Sequence, residues 1–392
     1  MGKPPEARLC RTRNELEVLL HMEYRLRCGP PLAAIAEPRT RSFIVVEWSK
    51  TPLQEDTGRG KACIYLLAKR GVSTPEAAAA LARYLGAVAH PLGLKDTEAT
   101  TLQRVCVQPC PEEPPRTIRG RGYWARLEGR VRSCRRLRLH GNTFIILLRP
   151  LPGHNSDEII EVVATLARQP LPAYYSFQRF GTRRPSTHYA GLASLIEPHS
   201  VVVREVLDTA YPDEAPEHIR CRRMLWQDPV CLTSTRMYEA SLAVDAPWPR
   251  LPRFLRSIHA SALQASIFNA YLTLRIEHGI GLGELIPGEK RDAKGRPLAP
   301  IPAVGGKTRV TGLARRLLRE ALELHGLSLE DLAKRPPGLL ARVEQYWRPV
   351  YTLPLGLQAE KRGNNLVVLR FTLEKGQYAT TLLRELVEPG ML

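Results

Sequence analysis

The sequence predicts a mixed α/β (α+β) protein built as two domains. Length is the first indication: 392 residues exceed what one hydrophobic core usually organises, at ~100–200 residues per domain. Runs of β-formers alternate with capped helices over the first 170 residues or so, and a strand pattern returns at 366–373. Between these, roughly 190–345, the texture is helical, with helices near 256–277 and 311–325.

In chain order, residues 14–20 (Asn14-Glu15-Leu16-Glu17-Val18-Leu19-Leu20) read as a capped amphipathic helix. Residues 42–48 and 62–67 are rich in β-formers and read as strands. Thr74-Pro75-Glu76 opens a helix with a hydroxyl cap, a first-turn proline and an acid, and it runs to Leu85. A loop follows, His90-Pro91-Leu92-Gly93-Leu94-Lys95-Asp96, then a short strand over 104–108. Gly93 permits close backbone approach or positive φ, and Asp96 is a lone carboxylate between Lys95 and Thr97. The proline-rich stretch 109–115 is a loop. Residues 123–133 alternate imperfectly and end in a basic run, Arg130, Arg132, Arg135, Arg136 and Arg138, ahead of His140-Gly141-Asn142 and the apolar strand 143–148. Residues 157–168 form a helix, and 286–307, rich in Gly, Pro and charge, an exposed loop.

The formal charge is +18, and 46 of the 57 cations are Arg. A GC-rich genome also favours Arg over Lys, but it leaves the net charge unexplained. A polyanionic partner explains both, because the guanidinium fork grips phosphate. The basic run before Asn142 suits a solvated face or a track along a phosphate backbone. The segment 172–188 interleaves Tyr174, Tyr175, Phe177 and Phe180 with Gln178, Arg179, Arg183 and Arg184. That composition fits base stacking and fits a structural aromatic cluster equally. The eight cysteines lack CxxC pairs, so neither a zinc site nor a disulfide framework is expected, and buried thiols are. No apolar run approaches the ~20 residues of a membrane helix, and the N-terminus lacks a signal-peptide pattern.

Taken together, these motifs resemble the TruD-type RNA pseudouridine synthases. Gly93-Leu94-Lys95-Asp96 with Ala99-Thr100 and Gln103 is similar to that family's catalytic motif, and Gly141-Asn142-x-Phe144 to its Gly-Asn-x-Phe motif. Gln178-Arg179-Phe180-Gly181 with Arg184-Pro185-x-Thr187-His188 resembles a third, and 376–386 the C-terminal helix. Phe43 to Glu47 and Arg70-Gly71-x-Ser73-Thr74 fit the first strands. Two departures stand out. The family's Pro-Glu-Asp-Phe is replaced by Arg39-Thr40-Arg41-Ser42-Phe43, without the acids, and Asn-Tyr-Phe-Gly by Ala173-Tyr174-Tyr175-Ser176.

The resemblance implies a pseudouridine-synthase catalytic domain on a mixed, mostly antiparallel sheet, over 1–171 and 346–392 with 1–30 as an extension. A mainly helical inserted domain would span 172–345. It further implies isomerisation of a uridine, uridine 13 at the D-stem junction of tRNA, with base flipping and without cofactor or metal. Asp96 would be catalytic, supported by Lys95, Asn142, Phe144 and Arg384: Asn142 orienting the carboxylate, Phe144 stacking on the base, Arg384 as ion-pair partner. RNA would be held by Arg135, Arg136, Arg138, Tyr175, Gln178, Arg179, Phe180, Arg184 and His188. The partner is then tRNA, with no membrane, and the protein a cytoplasmic monomer. An RNA-binding or RNA-folding chaperone with a degenerate site is the alternative. An Asp-based hydrolase is a weaker one, because paired carboxylates or metal-ligand clusters are missing around Asp96. Enzyme and chaperone differ in whether Asp96 faces Asn142, Phe144 and Arg384.

Overall fold

The protein is represented by a computed structural model that describes residues 8–50, 60–181, 187–196, 216, 253–334, 341–363 and 365–388. It divides into two compact units, Met1–Gly29 with Gln169–Thr352, and Pro30–Arg168 with Leu353–Met391.

The second unit is organised by a ten-stranded sheet. Its strands are β1 (Ala33–Ile35), β2 (Phe43–Lys50), β3 (Ala62–Lys69), β4 (Val88–Pro91), β5 (Thr100–Gln108), β6 (Thr117–Gly120), β7 (Tyr123–Val131), β8 (Arg138–Pro150), β9 (Leu355–Lys361) and β10 (Val367–Glu374). The order is β9-β10-β8-β2-β5-β3-β7-β6, with β1 beside β8 and β4 beside β5. Among the described strands every pairing of this sheet is antiparallel except β2 with β5, where Ile44 meets Thr100 and Val46 meets Leu102. The mixed, mostly antiparallel sheet is therefore as expected.

Alternation decides which face is buried. Along β8, Phe144, Ile146 and Leu148 are buried while Thr143, Ile145 and Leu147 are half-exposed, and β10 repeats the pattern from Val367 to Leu373, the period-two signature of a sheet with one covered face. Helix α2 (Thr74–Leu85; α1 is Arg39–Ser42) covers part of that face. Its cap is Ser73, one residue before the hydroxyl expected, in a reciprocal capping box with Glu76. Ala77 and Leu81 pack on Tyr65, Leu67, Val105 and Val107. Truncating a leucine so enclosed typically costs about 2–5 kcal/mol. Helix α3 (Ser156–Leu166) and the short α4 (Ala379–Leu383) complete this unit.

Three disulfides overturn the expectation of free thiols. Cys10–Cys28, Cys63–Cys110 and Cys106–Cys134 bring their Cα atoms to 6.0, 5.1 and 5.6 Å, inside the range a disulfide spans. Spacing along the chain does not report these pairs, because strand pairing in β3 and β5 creates two of them. Cys221 and Cys231 lie outside the described residues.

In the other unit, a 25-residue helix, Arg253–Glu277, lies beside Gly312–Glu323. The N-terminal segment packs on this long helix: Asn269 donates to Leu20 O at 3.0 Å and Thr273 to His21 O at 2.8 Å. Arg275 is fully buried against Glu289, with Nε 3.0 Å from Oε1, and also donates to the carbonyls of Ile280, Gly281 and Glu284. The expected exposed loop at 286–307 instead contains a strand, Pro297–Ile301, paired with Tyr346–Pro349. Ala299 and Ile301 are buried in it; proline-rich composition disguised the strand. Among the described residues, no helix is long and apolar enough to cross a membrane.

Candidate active site

The site is a turn gripped from three sides. Gly93 to Asp96 precede β5, and each grip comes from a buried side chain. Gln103, on β5, reaches Gly93 O at 3.5 Å. Thr74, freed from capping by Ser73, accepts from Lys95 N at 3.0 Å and lies 3.3 Å from Lys95 O and 3.2 Å from Gln103 Oε1. Lys69, at the end of β3, donates to Asp96 O at 2.7 Å. Thr74 and Gln103 are both fully buried. Gly93 keeps a tight approach open: a Cβ there would sit 3.2 Å from Lys95 Nζ, the mobile end of a flexible side chain that could shift by a few tenths of an ångström.

The turn projects Asp96 with its carboxyl crowded by protein while the residue itself stays exposed to solvent. Desolvation pushes its pKa up; Arg39, then Lys69 and Lys95, pull it down, and Glu98 adds to the rise. Lys69, only 2% exposed, is pulled down to about 8, chiefly by burial and partly offset by Asp96. Lys95 Nζ lies 3.7 Å from Glu47 Oε2, and Glu47 Oε1 accepts from Arg104 N at 3.2 Å. Burial lowers the Lys95 pKa, and Glu47 opposes that.

Glu47 links the turn to the next motif. It lies directly opposite Asn142 across β2 and β8, so both share a sheet face. Asn142 Oδ1 is buried without a hydrogen-bond partner. Gly141 is obligatory there, since a Cβ would meet Leu373 O at 2.0 Å. Phe144, two residues on, is 7% exposed. It is stacked on Phe371 with ring centroids 5.2 Å apart and edge-packed on Phe43 at 6.2 Å. Its ring is thus held in an aromatic column, and little of it is left for a base.

The other expected residues divide by burial. Arg384 ends α4 and is 1% exposed; the cations that lower the Asp96 pKa include Arg39, Lys69 and Lys95. Arg135 and Arg138 are exposed beside the start of β8. The side chain of Arg136 and all of Arg184 lie outside the described residues. Tyr175, Phe180 and His188 are 5%, 0% and 2% exposed, so they build their segment instead of presenting it. Tyr175 carries Arg348 over its ring at 3.9 Å, bonds Tyr346 through its hydroxyl at 2.6 Å, and is clamped by Asn269 at main-chain N and O. His188 packs edge-on against Phe180, and burial drives its pKa well below the ordinary value. Gln178 and Arg179 are half-buried.

Three participants were not singled out from the sequence. Lys69 carried a signal: it shares strand parity with Tyr65 and Leu67, so a cation fell on the inward register. Glu47 had the same signal beside Val45. Arg39 had none, as its placement depends on the β2–β5 pairing.

The sequence profile of tRNA pseudouridine synthase D matches residues 21–297 and 289–386. A protein of Methanopyrus kandleri assigned as tRNA pseudouridine synthase D is 33% identical over 359 residues, covering 84% of this chain and 86% of its own. The chain belongs to the tRNA pseudouridine synthase D family. A Pyrobaculum aerophilum relative given the same assignment is 29% identical, with 82% of each chain covered. A crystal structure from Methanosarcina mazei, assigned to tRNA pseudouridine synthase D, has the same fold, with a TM-score of 0.69 at 23% identity, covering 97% of this chain and 99% of that one.

Proposed function

We propose that this family member isomerises a uridine of tRNA, at the D-stem junction, to pseudouridine, with ionised Asp96 as the acting group. One observation carries the reading: three buried side chains fix the main chain of the Asp96 turn and leave its carboxyl among Arg39, Lys69 and Lys95. An anion held rigidly among cations is pre-organised for chemistry on a sugar–base bond. The isomerisation breaks N1–C1′, forms C5–C1′ and moves a proton from C5 to N1, with no net redox change. A carboxylate serves it as nucleophile or as base.

The target must leave its stack, at a cost of a few kcal/mol. The unpartnered Asn142 Oδ1 offers an acceptor to the uracil N–H once a nucleoside is present. Phe144 keeps the strand beneath in register. Exposed Arg135 and Arg138 supply phosphate contacts, which position the RNA without reading its sequence.

The test is mass spectrometry of a tRNA transcript incubated with the purified protein. Pseudouridine at the D-stem junction, absent with Asp96→Asn, is the expected result. Tight tRNA binding with no pseudouridine from the wild type would give the chaperone reading its place.

A further inference from the structure

We propose that Arg39 is the positioning cation of Asp96, the role first expected of Arg384. The inference rests on the proposed isomerase reading and adds a residue to it.

Topology supplies the first argument. β2 and β5 are the sheet's parallel pair, with Ile44 beside Thr100. Parallel neighbours start at the same end, some 4.8 Å apart. Helix α1 leads into β2 as the Asp96 turn leads into β5, so the two lead-ins lie side by side. A bond locks them: Thr100 Oγ1 donates to Thr40 O at 2.5 Å, and Arg70 Nε in turn donates to Thr100 Oγ1 at 2.8 Å.

The second argument is how Arg39 is held. Its Nε is shielded from water. Its guanidinium carbon lies 5.6 Å from the centroid of Phe43, and Phe43 packs edge-on against Phe144. The aromatic column thereby becomes a platform that orients the flat guanidinium. Its main-chain N is satisfied by Glu37 Oε2 at 2.8 Å.

Competition among cations is the third. Lys69 directs its ammonium to the main-chain carbonyl of Asp96, Lys95 directs its own to Glu47, and Arg70 is committed to Thr100. Of the groups bearing on the carboxyl — Arg39 from α1, Lys69 from β3, Lys95 and Glu98 from its own turn — Arg39 acts most strongly. It also falls in Arg39-Thr40-Arg41-Ser42, where this chain departs from the family's acidic pattern. Arg41 on the same helix is exposed and serves as control.

The experiment uses the full-length protein and a tRNA transcript, following single-turnover pseudouridine formation from pH 5 to 9, tRNA affinity and Tm. Arg39→Met is expected to slow the reaction at least tenfold at neutral pH. It should move the acidic limb up by about 1 unit or more, as loss of an adjacent opposite charge does, with tRNA affinity changed under threefold. Arg39→Lys should return the limb most of the way, and Arg41→Met should leave rate and limb unchanged. An unmoved limb with weakened tRNA binding would make Arg39 a phosphate contact and overturn the proposal. A Tm cycle with Asp96→Asn needs no activity. Arg39→Met should lower Tm in the wild-type background and much less in Asp96→Asn, and equal losses in both would overturn the pairing. If the wild type makes no pseudouridine, the isomerase reading fails by itself, while the Tm cycle still decides the pair.

Discussion

Lys69 Nζ donates to the main-chain oxygen of Asp96 at 2.7 Å, so a buried ammonium and the candidate catalytic carboxylate are joined through backbone. That ammonium holds the turn and adds positive potential beside the carboxyl. Both effects weaken when it loses its proton.

The alkaline limb of activity follows from this bond. Burial brings Lys69 down from 10.5 to about 8. Single-turnover rates are expected to fall above about pH 8 in the wild type, and Lys69→Arg should push that limb beyond pH 9, since Arg keeps its proton. Stability runs the other way. Between about 8 and 10.5 the unfolded chain retains a proton the folded state has released, so this residue's contribution to stability rises with pH. A Lys69→Arg variant with the wild-type alkaline limb would assign that limb to another group.

Asp96→Asn is expected to abolish pseudouridine formation, hold tRNA affinity within about tenfold because phosphate contacts supply most of the binding, and leave Tm unchanged or raised. Desolvation holds the Asp96 pKa above its unfolded value. Such a group favours the folded state only while protonated, so its ionisation destabilises the fold as pH rises through the folded pKa. Asparagine removes that penalty while keeping the shape. A Tm that falls by several degrees would mean the carboxylate holds the turn together, against the pre-organised picture.

Much of the sheet was legible because period two survives in apolar strands such as 366–373, and the Asp96 turn because glycine, cation and acid adjoin in sequence. What was lost depends on long-range pairing. Arg39 meets Asp96 only through strands whose partners are more than 50 residues apart, and the Cys106–Cys134 pair, 28 residues apart in sequence, also depends on strand pairing. The aromatic segment misled for another reason: Tyr175, Phe180 and His188 have the composition of a stacking platform and of a core alike, and only burial separates them.

The buried Arg275–Glu289 pair yields a stability prediction. With both side chains fully enclosed, removing one partner strands a charge, which typically costs about 3–5 kcal/mol. Arg275→Met also releases the carbonyls of Ile280, Gly281 and Glu284. Glu289→Gln keeps a neutral acceptor and is expected to cost less. Chemical denaturation of both variants checks the ranking; a loss under 1 kcal/mol for Arg275→Met would show that water or a shifted loop takes over its bonds.

Thiol titration tests the covalent bracing. With Cys10, Cys28, Cys63, Cys106, Cys110 and Cys134 in disulfides, the unreduced protein in denaturant should titrate no more than two of its eight cysteines, and all eight after reduction. Each bond closes a loop whose restriction in the unfolded chain is worth about 2–4 kcal/mol, so reduction is expected to lower Tm markedly. Eight reactive thiols without reductant would return all the cysteines to free thiols.

Salt dependence tests the basic surface. Arg135 and Arg138 are exposed next to β8, the strand that carries Asn142, and the chain bears a net +18. Each phosphate neutralised releases condensed counterions, at ~0.7–0.9 units of log–log slope. Wild-type tRNA binding is therefore expected to fall with a slope of several units between low and physiological salt. If the two arginines grip phosphate, Arg135→Gln and Arg138→Gln should each flatten that slope by about 1 and weaken unrelated RNAs equally, because phosphate contacts carry no sequence information. The single-turnover rate at saturating protein should stay near wild type, since neither residue is placed at the Asp96 turn. A slope that survives both substitutions would move the phosphate track to another basic face, and a wild-type slope near zero would remove the nucleic-acid reading.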